Sequence, residues 1–274
     1  MSRVASSPVA ALVEDLPPVT PVEVTAQAGL MVRTDRKYLV PQHELDALLE
    51  LWAAHDPGLR ALEVAGLRRH RYESTYFDTP DLDAYHRAAR GRRRRFKVRT
   101  RRYVDSRTAF TELKTRGARA TTVKTRVPRP VAAPLDRLGD DDLAFAEAGL
   151  RAARLHDVDV ASLRPVLRTG YRRSTLWLPA SRARVTIDLD LHWTSPRTVS
   201  TASVPALAVV ETKAVGGRGP DRVLWDLGHR PARISKYGTG LSLLDPDLPA
   251  HRWHRVRTRD LHPRLVLDTP QEHA

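Results

Sequence analysis

The stretch "FKVRTRRYV", residues 96–104, puts a cation at every second position, Lys97, Arg99 and Arg101, with Val98 and Thr100 between them and Phe96 just before. Successive side chains of a β-strand point to opposite faces, and like-facing ones stand roughly 6.8 Å apart. A strand here therefore has one cationic face and one mostly apolar face. Which of the two looks inward decides the fold. A basic outer face suggests nucleic acid, whereas cations turned into a barrel suggest a smaller polyanion.

The alternation recurs strand by strand. Arg33, Asp35 and Lys37 share a face of "LMVRTDRKYLVP"; Glu112 and Lys114 share one in "RTAFTELKTR", as do Lys124 and Arg126 in "ATTVKTRVPRP". Farther on, Tyr171 with Arg173, Arg184 with Thr186 and Asp188, and Glu211 with Lys213 repeat it. The opposite faces carry Val32, Val98, Leu113, Val123, Val185, Ile187, Leu189 and Val210. Taken one strand at a time, this is the usual sheet with its apolar face on the core and its charged face in water. For the set, acids and bases recur as E-x-K pairs, and the helices between the strands need somewhere apolar to pack. If helices cover the apolar face, the charged face must line an interior. Such an interior stays charged only if it is wet and filled by a counter-charged ligand, because isolated buried charges are costly.

Helical spacing marks those covering elements. "QHELDALLELWAAH" places Leu45, Leu48, Leu49 and Trp52 on one stripe, and "DPG" stops it. "DLDAYHRAARG" is a short helix with Gly91 after its end, and "PLDRLGDDDLAFAEAGLRAARLHDV" and "GPDRVLWDLGHR" are helical. Eight or so strands with helices at the joins, in no βαβ rhythm, indicate an antiparallel α+β domain or barrel.

Composition narrows the partner class. The 274 residues hold 46 Lys and Arg against 32 Asp and Glu, a net charge of +14, so an anionic partner is expected. With no cysteine, disulfides, thiolate zinc sites and cysteine nucleophiles are excluded. No apolar run approaches the ~20 residues of a membrane span. Residues 1–27 read as a disordered leader, 28–248 as the folded domain, and 249–274, rich in Pro, His and Arg, as a loosely held basic tail.

The segments "RTDRKYLVP", "STYFDTPDLDAYHRAARGRRRRFKVRTRRY", "FTELKTR", "VLRTGYRRS", "RVTIDLDL", "VVETKA" and "ISKYGTG" occur in the order of the VTC domain, which this chain resembles over about residues 29 to 245. That domain is the polyphosphate polymerase module of the vacuolar transporter chaperone complex and its bacterial relatives, within the CYTH or triphosphate tunnel metalloenzyme superfamily. The resemblance implies an eight-stranded antiparallel β-barrel with helices packed outside. Its tunnel would be lined with Lys and Arg that hold ATP and polyphosphate or triphosphate, with Mn²⁺ or Mg²⁺ held by acidic residues.

Carried over by position, the resemblance implies catalytic roles for Lys37, Arg99, Arg101, Lys114, Arg173, Arg184, Lys213 and Lys236. It implies substrate-binding roles for Arg33, Lys97, Lys124 and Arg126. Glu211 matches the family's metal-binding glutamate, and Glu112 and Asp35 are further candidate ligands, with salt-bridge roles as the alternative. The chemistry suits these residue types. Phosphoryl transfer needs positioning and charge neutralisation more than covalent work by the protein. Arg grips phosphate in a bidentate fork, Lys acts as a point charge, and a hard cation takes carboxylate, water and phosphate oxygens.

One departure separates branches of the superfamily. Hydrolytic tunnel enzymes carry E-x-E-x-K on the first strand, whereas this chain has Arg33-x-Asp35-x-Lys37. The leading expectation is therefore an ATP-dependent polyphosphate polymerase. A tripolyphosphatase or nucleoside triphosphatase and a non-catalytic polyphosphate-binding module stand as alternatives, and nucleic acid ranks last. The expected location is cytoplasmic, at the inner face of a membrane if a separate membrane protein carries the product away. Tyr76, Phe77 and Asp78 read as a strand end and turn, and Trp52, Trp177 and Trp225 as core or helix-covering residues. The run Arg92–Arg95 reads as a solvated entrance or a polyphosphate exit path.

Overall fold

In a computed structural model, residues 8–28, 34–116, 122–214 and 219–268 are described. The elements run α1 (Pro8–Asp15), β1 (Pro18–Val19), α2 (Pro21–Ala28), β2 (Thr34–Pro41), α3 (Leu45–His55), β3 (Arg60–Leu62), β4 (Arg69–Asp78) and α4 (Asp83–Ala89). Then come β5 (Arg95–Tyr103), β6 (Thr108–Arg116), β7 (Thr122–Arg129), α5 (Asp140–Ala152), β8 (Arg164–Leu178) and β9 (Ala183–Thr194). The chain continues with β10 (Thr201–Ser203), β11 (Leu207–Ala214), α6 (Pro220–Asp226), α7 (Lys236–Leu244) and β12 (Val266–Asp268). The class is α+β with antiparallel ladders throughout, apart from the short parallel contact of β1 with β3. The residues group into two compact units, the first Met1–Arg71, Tyr171–Leu191 and Pro205–Ala232, the second Tyr72–Gly170, His192–Val204 and Arg233–Ala274.

In the first unit β11 lies between β2 and β9, with Glu211 opposite Lys37 on one side and Thr186 on the other. Its apolar face is closed by helices, as the spacing predicts. Leu45, Leu48, Leu49 and Trp52 of α3 are all at most 4% exposed and pack with Tyr38, Val40, Val185, Ile187 and Val210. Val223 and Leu224 of α6 complete that layer. Asp56, wholly buried just after α3, accepts hydrogen bonds from the backbone N–H of Ala180 (3.2 Å) and Ser181 (2.9 Å), which ties the helix end to the β8–β9 turn. Asp221 accepts from Tyr38 Oη (2.7 Å) and Arg36 Nη1 (2.8 Å), so this buried carboxylate is satisfied.

The second unit is built on the meander β4–β5–β6–β7. The ladder between β5 and β6 runs unbroken from Arg95↔Arg116 to Tyr103↔Thr108. Phe96 (1% exposed), Val98 and Thr100 (both 0%) therefore lie on one buried face. Helix α5 covers that layer, with Ala146 and Leu150 buried. A side chain at Gly149 would come within 2.3 Å of Leu113 Cδ2, so the absent Cβ is what lets helix and strand meet. Asp78 starts α4 by accepting from the backbone N–H of Thr79 (2.8 Å), Ala84 (2.8 Å) and Tyr85 (2.9 Å). Ser235 caps α7, its Oγ accepting from Gly238 N (3.1 Å).

Several expectations are corrected here. Within the expected leader, Pro8–Asp15 is helical and Val13 is 2% exposed against the α3 core, because its apolar residues find a groove to fill. The expected tail is likewise held: Trp253, Val256 and Leu261 are buried. Pro205 stands between β10 and β11 and keeps them separate strands. Val123, expected on the apolar face, is 50% exposed near the start of β7. Val32 lies outside the described residues.

Candidate functional site

Each unit carries its own cluster of charges on the sheet face opposite a covering helix, α3 in the first and α5 in the second. In the second unit the side chains stack in cross-strand rows. Arg99, Glu112 and Arg126 form one row; Lys97, Lys114 and Lys124 form the next; Arg95 and Arg116 lie beyond. Three lysines abreast are unfavourable by themselves, since like charges directly opposite in a sheet repel.

Glu112 anchors this face. Only 2% exposed, it accepts from Arg99 Nε (2.7 Å) through Oε2 and from Lys124 Nζ (2.9 Å) through Oε1. Burial works against its charge, but Arg99, Arg101 and Lys124 outweigh burial and hold the carboxyl well below the usual range. Burial pushes the Lys124 ammonium down to about 8, with Glu112 opposing and Arg99 assisting. Arg101, 5% exposed, donates to Ser74 Oγ (3.0 Å) and lies over the Tyr72 ring (5.4 Å).

Tyr76 belongs to the same cluster. It faces Arg99 across the β4–β5 ladder, accepts a hydrogen bond from Arg99 Nη1 (3.0 Å), and stacks on Tyr237 with ring centroids 5.1 Å apart. Burial raises its phenol, yet Arg99, Arg101 and then Lys236 bring it below its ordinary value. The strand-end reading fits Phe77 and Asp78 and fails for Tyr76; strand parity, which puts Tyr76 on the face of Ser74 and opposite Phe77, was the signal to use. Lys97 donates to Ser235 Oγ (2.9 Å), and its Nζ is 5.8 Å from the Tyr237 ring centroid. Lys236 opens α7, its carbonyl accepting from Trp193 Nε1 (2.7 Å). Lys114 is exposed in the lysine row, and the Arg126 guanidinium covers Phe110 (4.4 Å).

In the first unit Glu211 is the centre. Lys213 Nζ is 2.9 Å from Glu211 Oε1 and also binds Asp35, and Lys37 Nζ is 4.0 Å away. Burial opposes ionisation here too, but Lys37, Lys213 and Arg173 keep the carboxyl far below its usual range. Arg184 stands opposite Lys213 in register. Arg173 grips Asp188, its Nη2 2.8 Å from Oδ2. Asp188, 1% exposed, was read from sequence as part of the polar face but given no role. Arg33 lies outside the described residues.

The three candidate metal ligands fare differently. Both oxygens of Glu112 are taken by cations, so it fits the salt-bridge role and not the metal role. Glu211 engages its cations through Oε1, and Asp35 meets it at Lys213. Opposite Glu211, the buried Thr186 Oγ1 has no hydrogen-bond partner among the described residues, so a polar group faces this spot unsatisfied. Glu211 and Asp35 thus suit a hard cation bound by few carboxylates, with water and phosphate oxygens completing its shell. Among the described residues no group of three or more His, Asp or Glu could hold a metal by itself.

A family model, the VTC domain, matches residues 32–245. No curated protein matches the chain. Among solved structures, a candidate adenylate cyclase from Bacillus halodurans is 13% identical with a TM-score of 0.43, covering 72% of this chain and 87% of its own. A candidate adenylyl cyclase from Hippeastrum with a dominant triphosphatase activity is 12% identical with a TM-score of 0.44, covering 77% and 96%. A protein of Pyrococcus horikoshii is 13% identical with a TM-score of 0.40, covering 78% and 99%. Likenesses this distant carry no weight for function.

Proposed function

Because the chain belongs to the VTC domain family, we propose that it is a polyphosphate polymerase that moves the terminal phosphoryl group of ATP onto a growing polyphosphate chain. In the step, a terminal oxygen of the polymer attacks the γ-phosphorus, the bond to the β-phosphate oxygen breaks, and ADP leaves. The attacking oxygen is already anionic, so no general base is required of the protein. The demand on the side chains is positioning and neutralisation.

The observation that carries this reading is the row Lys97, Lys114 and Lys124 beside Arg99 and Arg101 on one face. Five cations share that face, and its buried carboxylate Glu112 is held by Arg99 and Lys124. A row of cations so spaced matches a chain of phosphates, each bringing a negative charge. Lys97, Lys114 and Lys124 act as point charges along the polymer, and the guanidiniums of Arg99 and Arg101 offer donors in a fixed fork. In the first unit, Lys37, Arg173, Arg184 and Lys213 supply cations around Glu211. Mn²⁺ or Mg²⁺ would be held there by Glu211 and Asp35 and would neutralise phosphate oxygens. Arg33, standing where hydrolytic relatives have a carboxylate, favours synthesis over hydrolysis. With ATP as donor, the reading includes a cytoplasmic reaction.

The test is incubation of the purified protein with ATP and Mn²⁺ or Mg²⁺, with the products resolved on a polyphosphate gel. A ladder of long anionic product with matching ADP supports the proposal. Steady phosphate release without polymer makes the protein a triphosphatase, and tight binding without turnover makes it a binding module.

A further inference from the structure

We propose that the segment from His251 to Leu267 docks the protein on an anionic lipid surface, through a cationic outer side and an aliphatic tip. The proposal is independent of the polymerase reading and uses no residue of either charge cluster.

The segment has an inner and an outer side. Val256–Leu261 forms a π-helical turn and His262–Arg264 a 3₁₀ turn. The wide π turn sets Val256 and Leu261, five residues apart, on the same side, and both are buried together with Trp253. Trp253 packs on Tyr85 with ring centroids 5.5 Å apart and fills the space that a Cβ at Gly238 would need. The Pro249 carbonyl accepts from Tyr85 Oη (3.2 Å), a second attachment. With the inner side spent on packing, Arg255, Arg259 and Arg264 are left exposed on the outer one.

The charge of that outer side is not balanced locally. Between His251 and Arg264 stand five arginines and one carboxylate, Asp260. Among the described residues Arg255, Arg257 and Arg259 form no ion pair. Elsewhere on the surface the arrangement is different: Arg87, Arg151 and Arg222 each pair with a carboxylate four residues away, Asp83, Glu147 and Asp226, as solvated helices usually do.

The aliphatic tip follows at once. β12 carries Val266 and Leu267, each 53% exposed, and ladders only with β10 among the described residues. Thr201 of β10 faces Asp268 of β12, so Val199, 64% exposed and two residues before Thr201, lies at the same end of that ladder.

The combination selects the partner. Arginines beside an anionic bilayer gain from its surface potential, and aliphatic side chains gain by leaving water for the headgroup boundary. A nucleic acid or a free polyphosphate would use the arginines and would leave Val199, Val266 and Leu267 in water. No helix of the described residues is long and apolar enough to cross a membrane, so the contact of this segment is with the surface.

Flotation of the full chain with vesicles tests the surface, using phosphatidylcholine alone and phosphatidylcholine mixed equally with phosphatidylglycerol. The wild type is expected to bind the mixed vesicles and not the neutral ones. Arg255→Gln/Arg259→Gln/Arg264→Gln should weaken that binding about a hundredfold, and Val266→Ser/Leu267→Ser about tenfold. Arg151→Gln/Arg154→Gln/Arg222→Gln removes the same charge elsewhere and should weaken it less than about threefold. Both segment variants alter exposed side chains only, and each should keep the thermal midpoint of the wild type. Absence of binding to the mixed vesicles overturns the proposal. An equal loss in the two arginine triples also overturns it, because adsorption would then follow net charge alone, and so does full binding by Val266→Ser/Leu267→Ser. If the segment triple loses duplex DNA or long-chain polyphosphate as steeply as it loses vesicles, the surface belongs to those polymers and the proposal fails. None of these readouts needs turnover, so the outcome is separate from that of the polymerase assay.

Discussion

Arg99 and Glu112 stand directly opposite each other on neighbouring antiparallel strands, and the arginine's Nε is 2.7 Å from the carboxylate. One partner is a candidate phosphate ligand and the other is 2% exposed, so the pair couples binding to folding. Arg99→Ala should therefore abolish turnover and also lower stability by about 3 kcal/mol, because a buried carboxylate loses a partner. In denaturant unfolding, Arg99→Ala/Glu112→Ala should recover much of that loss while remaining inactive. A single variant of full stability would show that Lys124 alone satisfies Glu112.

Glu211 permits a separation of metal from phosphate. Glu211→Gln should raise the Mn²⁺ or Mg²⁺ concentration needed for half-maximal turnover by at least about tenfold, the loss of one charged ligand. Without metal, the same variant should bind tripolyphosphate at least as tightly as the wild type, because the carboxylate's charge no longer opposes the anion beside Lys37 and Lys213. Weaker metal-free binding would show that Glu211 acts by orienting those lysines.

Lys124 sets a pH signature. Its ammonium titrates at about 8 in the folded protein against 10.5 for an unperturbed lysine. Below pH 8 the folded state carries a cost for that charge, and the cost fades as pH rises from 8 towards 10.5. Phosphate binding runs the other way: it favours the ammonium, so affinity should fall above pH 8 and binding should take up protons there. Calorimetry in buffers of different ionisation enthalpy measures the uptake. Lys124→Arg should abolish it, and persistence of the uptake would place the titrating group elsewhere.

The lysine row should behave as a set of mutually repelling charges. Lys114→Ala is expected to leave the thermal midpoint of the ligand-free protein unchanged or slightly higher, a few tenths of a kcal/mol, since it removes a like charge facing Lys97 and Lys124. It should also reduce the rise in midpoint that tripolyphosphate gives the wild type. A clear fall in the ligand-free midpoint would mean that Lys114 is there for stability.

The alternation in β5, β6, β9 and β11 made their facing legible before any coordinates, because a strand's side-chain period is two and each of these strands is flanked on both sides. The same rule misplaced Val123, which is exposed on β7, a strand paired only with β6 among the described ladders. Tyr76 was passed over because a tyrosine beside Phe77 and Asp78 resembles a strand end; parity puts it on the face of Ser74, and the β4–β5 register then sets it under Arg99. The double engagement of Glu112 is invisible in "TELK", where Lys114 is the nearest base; its partners come from the strands on either side. Val13 and Trp253 were hidden for a different reason. Val13 sits in a short apolar stretch soon broken by Glu14, Asp15 and prolines, Trp253 sits among His and Arg, and the burial of each depends on residues elsewhere in the chain.

Trp253 also bears on how the protein can be cut. The family match ends at residue 245, and a fragment stopped there would keep every strand that carries a candidate ligand. It would nevertheless lose the indole that covers Tyr85 and lies against Gly238, uncapping an aromatic patch beside the helix that begins with Lys236. The smallest faithful preparation is thus longer than the matched module: a boundary drawn by kinship falls inside a boundary drawn by packing.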